Sequence, residues 1–157
     1  MRSIETSQLL KVALDEGIVI EYWDFPPPLE AVYLFEPGLP PNIGLSKRIL
    51  ETPAYFRCVL AEELGHHFTT VGPCISRQTM SYHKRLNVSK VEYKAMKWAA
   101  EFLIPFKDIK RAVLWECYWT QHHLAEYFDV TLEMIKFRLG LPDVIELVKY
   151  TKAAKYG

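Results

Sequence analysis

The spacing of apolar residues changes along this chain from a strand-like pattern to a helical one. A short amphipathic segment predicts a first helix over Ser7–Glu16. Three runs then predict strands, and the first of them is rich in β-branched and aromatic residues, whose side chains fit a half-buried pleated surface. These runs are Ile18–Trp23, Ala31–Phe35 and Asn42–Leu45, and they are separated by prolines at 26–28 and by Pro37-Gly38.

The rest of the chain has mainly helical spacing. Helices are predicted over Pro53–Thr70, Lys90–Leu103, Pro105–Trp115, Gln121–Phe128, Thr131–Leu139 and Asp143–Lys152. The stretch between Gly72 and Lys90 shows neither period and is expected to be irregular. Strands followed by helices indicate an α+β fold, in which a small N-terminal antiparallel sheet packs on the first long helix and the C-terminal half is helical.

The helix predicted over Pro53–Thr70 is apolar almost all round, which is typical of a buried helix. Its second half nevertheless contains four ionisable residues, Glu62, Glu63, His66 and His67. Unpaired charges in a protein interior are costly, so these side chains need compensating partners. A divalent metal ion is the simplest partner that carboxylates and imidazoles can share.

The spacing of these residues suits such an ion. Glu62 and His66 are four positions apart, so their side chains lie one above the other on the helix and can converge on one ion. Glu63 can hold a water molecule beside that ion, which is the arrangement in the H-E-x-x-H motif. Glu63 and His67 form an equivalent pair, and periodicity does not distinguish the two registers. The pattern alone has low specificity, because a buried hydrogen-bonded Glu–His pair also produces it.

A further acid, Glu92, lies on the apolar side of the helix predicted over Lys90–Leu103. As a third ligand it would leave the fourth position of a zinc ion open for water, as hydrolysis requires. Ser89 and Glu92 also fit the S-x-x-E capping box, which would direct the carboxylate back to the start of its own helix. The buried cluster on the other helix favours the ligand role. Cys74 is a softer candidate ligand and is less favoured than Glu92.

Composition restricts the remaining possibilities. The chain has 157 residues, half of them hydrophobic, which is enough for one domain over residues 1–157 with a buried core. Lys+Arg and Asp+Glu both number 19, so no net field favours nucleic acid or an anionic membrane. No apolar run approaches the roughly 20 residues of a membrane span, and the N-terminus lacks the apolar core of a signal peptide. The three cysteines show no C-x-x-C spacing, so we expect a soluble cytoplasmic protein.

Three segments carry motifs that occur together in one family of metallopeptidases. Residues 61–66 read AEELGH, where that family has AHELGH. Residues 92–99 read EYKAMKWA and are followed by LIP at 103–105, similar to its E-x-x-A-x-x-[FW]-A and L-[LIM]-P segments. Residues 124–131 read LAEYFDVT and, with Arg138-Leu139, match its C-terminal helical segment. From about Thr52 to Leu139 the chain therefore resembles the ImmA/IrrE family, and the combination is far more specific than any single motif.

The resemblance implies a zincin-like fold and hydrolysis of a peptide bond by a metal-activated water. Carried over by position, it makes His66 and Glu92 zinc ligands and Glu63 the general base. Glu62 stands where the family usually has histidine, and its carboxylate can still bind zinc, so the predicted metal ligands are Glu62, His66 and Glu92. The expected cofactor is zinc, although such an oxygen-rich set makes the bound water less acidic and shifts selectivity towards harder divalent ions such as manganese or magnesium.

The resemblance also implies a partner. Members of the family often occur in phages and mobile elements, next to a helix-turn-helix repressor that they cleave, so the expected substrate is such a repressor. Glu62 leaves open a catalytically weak or inactive pseudo-peptidase that binds the repressor. A second alternative is a DNA-binding regulator, because residues 120–140 resemble a helix-turn-helix core with Lys136 and Arg138 on its second helix. The neutral chain and Glu133 on the same helix argue against this alternative.

Overall fold

The computed structural model of the protein describes residues 4–78, 89–115 and 120–156. They form, in chain order, α1 Thr6–Asp15, β1 Val19–Trp23, β2 Ala31–Phe35, β3 Asn42–Ser46, a 3₁₀-helix Lys47–Glu51, α2 Pro53–Thr69, β4 Cys74–Gln78, α3 Lys90–Leu103, α4 Phe106–Trp115, α5 Gln121–Phe128, α6 Leu132–Leu139 and α7 Pro142–Tyr156. The predicted α+β class, with a small N-terminal sheet and a mostly helical remainder, is confirmed.

The sheet is mixed, so the prediction of a purely antiparallel sheet was wrong. Its strand order is β1-β3-β2-β4, with β2 antiparallel to both β3 and β4 but β1 parallel to β3. Three prolines at 26–28 follow β1, and proline lacks the N–H that a tight antiparallel hairpin requires. The strand β2 therefore does not pair with β1. The short connection after β2 brings β3 between the two strands, antiparallel to β2 and parallel to β1.

The strand β4 was not predicted, since residues 74–78 fall in the stretch expected to be irregular; residues 79–88 of that stretch lie outside the described residues. The strand pairs with β2 so that Ser76 is opposite Tyr33 and Ile75 is opposite Leu34. Ser76 is buried, while Ile75 is 68% exposed. A polar residue at the inward position and an apolar one at the outward position reverse the usual alternation, which is why the sequence did not indicate a strand here.

The predicted burial of α2 is confirmed. Pro53 occupies its first turn, where the missing N–H is not needed. Every residue from Phe56 to His66 is buried, because α2 packs between the sheet, which it contacts through β2, and the helix α3. Glu62, Glu63 and His66 are therefore in the centre of the molecule, whereas His67 follows the buried stretch and is partly exposed.

The helices α2 and α3 approach each other backbone to backbone at one point. A Cβ atom on Gly65 would overlap the carbonyl oxygen of Ala95, so only glycine fits there without moving one helix. Ala95, Ala99 and Ala100 are fully buried on the facing side of α3, and their small side chains permit this close packing. Ala95 lies three residues after Glu92 and on the same face, so the contact brings Glu92 close to α2.

None of the helices in the described part of the chain is both long enough and apolar enough to span a membrane.

Candidate metal centre

The candidate site is built on the buried middle of α2. Glu62 is 4% exposed, Glu63 is fully buried and His66 is 1% exposed. The cluster is therefore inside the protein, as the apolar surroundings of these residues in the sequence predicted. In such an environment the donors of a polar side chain must be met by other protein groups, by water or by an ion.

His66 is the point where three elements meet. The Nε2 atom of His66 lies 3.4 Å from Oε2 of Glu92 on α3. The same nitrogen lies 2.9 Å from Oγ of Ser76 on β4, within hydrogen-bond distance. Two of the predicted ligands, His66 and Glu92, are thus brought together although 26 positions separate them in the chain. A third polar group, which the sequence did not suggest, lies beside them.

The start of α3 shows how Glu92 can serve this position and its own helix at once. The Oγ atom of Ser89 accepts a hydrogen bond from the backbone N–H of Glu92, with a distance of 3.2 Å, and so caps α3. The side chain of Glu92 is half-buried and its Oε2 atom faces His66. The capping and ligand roles that the sequence left as alternatives are therefore compatible, because the serine supplies the cap.

The separations around His66 can be tested against those of a metal site. Two ligands held roughly 2.0–2.2 Å from one ion lie about 2.8–3.6 Å apart for bond angles between about 90° and 109°. The 3.4 Å between His66 and Glu92 falls in this range and exceeds the length of a good N–H···O hydrogen bond. Imidazole nitrogen and carboxylate oxygen are both donors that divalent ions accept. The two residues therefore fit an ion as far as their own geometry defines it.

The third predicted ligand is not brought into the same cluster. Within residues 4–78, 89–115 and 120–156, no group of three or more His, Cys, Asp or Glu side chains is arranged to hold a metal ion. The charge of Glu62 contributes to raising the pKa of Cys58, which reaches about 11 chiefly because that thiol is buried. Burial likewise raises the pKa of Cys74, and here the charges of Glu63 and Glu92 add to the effect. Glu63 and Glu92 thus both affect the ionisation of Cys74, whereas Glu62 affects that of Cys58.

His67 has partners on both ring nitrogens. Its Nδ1 atom lies 3.0 Å from the hydroxyl of Tyr33, and its Nε2 atom lies 3.1 Å from Oε2 of Glu16. These contacts connect α2 with β2 and with the end of α1. A metal-ligating histidine needs one nitrogen lone pair for the ion, so the alternative pair Glu63 and His67 would first have to break one of these bonds.

The contacts of His66 also exclude a serine-hydrolase arrangement. In a Ser-His-acid triad the serine and the acid contact opposite nitrogens of the imidazole, so that one nitrogen accepts the serine proton while the acid holds the ring in position from the other side. Here Ser76 and Glu92 both face Nε2. Among the described residues, Nδ1 of His66 has no hydrogen-bond partner. This geometry suits ligands arranged around one ion and not a catalytic triad.

The region that resembles a helix-turn-helix core consists of α5 and α6. Its two helices meet at Asp129, which adopts the left-handed conformation with φ of 50°. Arg138, one of the two cations proposed to contact DNA, is 1% exposed, and its guanidinium binds Asp143 and the carbonyl oxygen of Ile104. On α6 this leaves Lys136 as the exposed cation, which is too little charge for phosphate recognition.

Ser76 is the residue of this site that sequence reasoning missed. The signal that could have found it is the alternation over residues 74–76. In a strand, Cys74 and Ser76 lie on one face and Ile75 on the other. That signal was too short to separate from a loop, and a serine beside an apolar isoleucine does not suggest which of them points inward.

The family model described as the IrrE N-terminal-like domain of M78 peptidases matches residues 13–140. No curated protein and no solved structure gives a significant match. The matched range covers α2, β4 and α3, and therefore includes every residue around His66 described above.

Proposed function

Since the chain belongs to the M78 peptidase family of IrrE N-terminal-like domains, we propose that it is a metal-dependent endopeptidase. The observation that carries the proposal is the buried meeting of His66 with Glu92 at 3.4 Å, on two helices locked together at Gly65. A buried histidine and a half-buried carboxylate held at this separation are arranged as ligands of one ion would be.

In this proposal His66 and Glu92 hold the ion, and Glu62 is the further predicted ligand. A bound divalent ion would polarise the scissile carbonyl and make an attacking water more acidic. The role of the surrounding helix is to keep His66 oriented and to exclude bulk water, which strengthens each electrostatic interaction inside the site. Glu62 brings a negative charge where the family resemblance has a neutral histidine, so the ion is expected to be harder than zinc or to bind a less acidic water.

Glu63 is the proposed general base. It is fully buried, and its charge, like that of Glu92, adds to the effect of burial in raising the pKa of the Cys74 thiol. Its carboxylate would take a proton from the attacking water and deliver that proton to the nitrogen of the leaving amine. Positioned general bases of this kind typically contribute about 10²–10⁴-fold to a rate.

The proposed substrate is a helix-turn-helix repressor, and the proposed location is the cytoplasm. The substrate rests on the resemblance of residues 61–66, 92–105 and 124–139 to the ImmA/IrrE family, and the location rests on the three cysteines, which lack the spacing of a disulfide framework. A pseudo-peptidase that binds the repressor without cleaving it is the alternative, and it is motivated by the carboxylate of Glu62 in place of histidine. Direct DNA binding is disfavoured by the burial of Arg138.

A cleavage assay with two matched variants tests the proposal. The full chain, loaded with Zn²⁺ or Mn²⁺, is incubated with a helix-turn-helix repressor from the same genome and, separately, with denatured casein, and products are identified by mass spectrometry. We expect Glu63→Gln to reduce cleavage by about 10²-fold or more, since an amide cannot accept the proton. Glu101→Gln, an exposed glutamate on α3, is the control and should retain full activity.

The outcomes separate the two candidate functions. Cleavage that depends on metal and on Glu63 supports the endopeptidase. Binding of the repressor without cleavage in the presence of either ion supports the pseudo-peptidase, and cleavage that survives Glu63→Gln contradicts the assigned general base.

A further inference from the structure

The edge strand β4 places one hydroxyl in the interior of the site. Ser76 is 7% exposed, and its position is fixed by the pairing of β4 with β2, in which Ser76 lies opposite the buried Tyr33. Its Oγ atom faces the same nitrogen of His66 that faces Glu92. A serine fixed by a strand register therefore shares the one nitrogen that a metal ion would use.

We propose that the Ser76 hydroxyl is a protein ligand of the metal ion, so that His66, Glu92 and Ser76 form the core of the donor set. This inference rests on the proposed function, because it assumes that an ion binds at His66. It assigns a residue outside the three ligands predicted from the sequence. Serine and threonine hydroxyls bind hard divalent ions in other proteins, as the hydroxyl of the P-loop does with Mg²⁺.

The distances support this assignment. The 2.9 Å between Ser76 Oγ and His66 Nε2 corresponds to two ligands at about 90° on an ion with bonds of roughly 2.0–2.2 Å. The 3.4 Å between Glu92 Oε2 and the same nitrogen corresponds to an angle close to the tetrahedral value of about 109°. Both oxygens can therefore remain near their present positions when an ion binds beside the imidazole.

Replacing the hydrogen bond between Ser76 and His66 by bonds to a metal ion needs only a rotation of the serine hydroxyl. Without an ion, a proton lies between Ser76 Oγ and His66 Nε2 and joins them in a hydrogen bond. With an ion, the imidazole presents a lone pair, and the serine O–H turns away so that its oxygen lone pair faces the ion. The strand and the helix keep their places, since the bond that changes lies between two side-chain atoms.

The charge of the donor set also changes in a useful direction. A neutral hydroxyl adds a ligand beside His66 and Glu92 without adding a second negative charge to this set. Two oxygens and one imidazole nitrogen form a harder set than the two histidines and one carboxylate of the usual zinc peptidase, so Mn²⁺ gains relative to Zn²⁺.

Replacing the serine oxygen by sulfur gives a direct spectroscopic test. In a background with Cys74→Ala and Cys117→Ala, we would introduce Ser76→Cys into the full chain and titrate the protein with Co²⁺. If residue 76 is a ligand, the new thiolate gives an intense near-ultraviolet charge-transfer band that saturates at one Co²⁺ per chain. The parent with Ser76 in the same background gives no such band. Because a merely structural serine would not produce this signature, cobalt binding without the band overturns the proposal.

A second measurement uses variants that keep the native cysteines. Ser76→Ala should weaken binding of Mn²⁺ by about 10-fold or more, measured by competition with a chromophoric chelator. Loss of an outer contact that orients a ligand can cost about 10–100-fold as well, so the charge-transfer band decides between these two roles. Ser46→Ala, which removes a buried hydroxyl from β3, is the matched control and should bind Mn²⁺ as the wild type does. Circular dichroism confirms that each variant is folded.

The outcomes distinguish this inference from the proposed function. If the wild-type chain binds neither Mn²⁺, Zn²⁺ nor Co²⁺, both fail. If it binds an ion in a manner abolished by His66→Ala but unaffected by Ser76→Ala, and the cysteine variant shows no band, the metal site stands and the ligand role of Ser76 is rejected.

Discussion

Two buried side chains of this protein, Arg138 and His66, are equally inaccessible and yet differ in how their nitrogen atoms are used. Each is 1% exposed. Arg138 joins α6 to the end of α3 and to the start of α7, and His66 lies where α2 meets α3 and β4. One belongs to the helical half of the chain and the other to the interface between the sheet and the helices.

Every nitrogen of the Arg138 guanidinium has an acceptor. Its Nε donates to the carbonyl oxygen of Ile104 at 2.8 Å, and its two terminal nitrogens donate to the two oxygens of Asp143 at 2.8 and 2.9 Å. This fork-to-fork geometry is among the strongest pairings of ionised side chains. The hydrogen bonds of the arginine are therefore all made within the protein, and its role is to hold three helices together.

The two ring nitrogens of His66 are not matched with partners one to one in this way. Two oxygens from different elements compete for its Nε2, and the part of the chain that the structure describes offers no hydrogen-bond partner to Nδ1. A buried group whose hydrogen bonds are poorly met costs free energy, and such groups persist where they serve a function. Two equally buried side chains can therefore serve different purposes. Whether the protein supplies a hydrogen-bond partner for every nitrogen separates an architectural residue from a candidate binding residue.

Removing Arg138 should have the largest effect on stability. Arg138→Met keeps an apolar chain of similar length but leaves Ile104 O without its donor and Asp143 without its partner. Breaking a buried pair from one side costs about 3–5 kcal/mol, and because Asp143 is partly exposed we expect about 3 kcal/mol. Urea unfolding followed by circular dichroism measures the change.

The control for that variant is Lys136→Met on the same helix, an exposed lysine whose replacement should change the unfolding free energy by less than about 0.5 kcal/mol. If Arg138→Met were as mild as this control, the arginine would not be the architectural member of the comparison.

A methyl group at Gly65 should have the next largest effect, and it would act on the His66 side. Gly65→Ala forces α2 and α3 apart, because the new Cβ overlaps the backbone of Ala95. Overpacking costs about 1–3 kcal/mol, and the better helix propensity of alanine returns at most about 1 kcal/mol, so we expect a loss of about 2 kcal/mol. The same shift should move Glu92 away from His66 and weaken metal binding.

The matched control is Gly140→Ala, at the end of α6, where a Cβ would have ordinary contacts of 3.4 and 3.5 Å and φ is −83°. Its unfolding free energy should stay within about 1 kcal/mol of the wild type. Equal effects of the two substitutions would show that the close approach at Gly65 is not special.

The smallest effect concerns the pH dependence of the Arg138 pair. Hydrogen bonds from the Arg138 guanidinium lower the pKa of Asp143 below its ordinary value of 3.8, although burial opposes this. The carboxylate therefore adds stability above pH 3.8, and the contribution is lost as the pH falls through the lower pKa of the folded state. Because Asp143 is partly exposed, the contribution should be under about 1 kcal/mol.

Asp143→Asn removes this contribution at every pH. The difference in unfolding free energy between the variant and the wild type should accordingly be present at about pH 6 and shrink at about pH 2.5. A difference that stays constant over this range would mean that the ionisation of Asp143 does not support the fold.

The helices and most strands could be predicted from the sequence because their signals are local. The period of α2, the proline at its start and the apolar, partly aromatic run of β2 each lie within a few residues, and both elements were placed within one residue of their bounds. The pairing of β1 with β3 could not be read in this way. It depends on where the chain goes after the three prolines, which no local pattern encodes.

The same limit applies to the site. Glu92 was found because an acid on an apolar helical stripe is conspicuous, and the structure does bring it to His66. Ser76 was missed because its contribution comes from the register of a strand five residues long and not from its own residue type. The position of Glu62 relative to His66 on the helix was clear from the sequence, yet its surroundings, which include Cys58, depend on side-chain packing.

The contact of Gly65 with Ala95 acts as a spacer whose thickness is that of two bare backbones. To adapt the proposed metal site to another ion, one would leave residues 65 and 95 untouched and vary positions 62, 76 and 92. The backbone contact between Gly65 and Ala95 fixes the distance between α2 and α3, and the side chains at the other positions can then be exchanged one at a time.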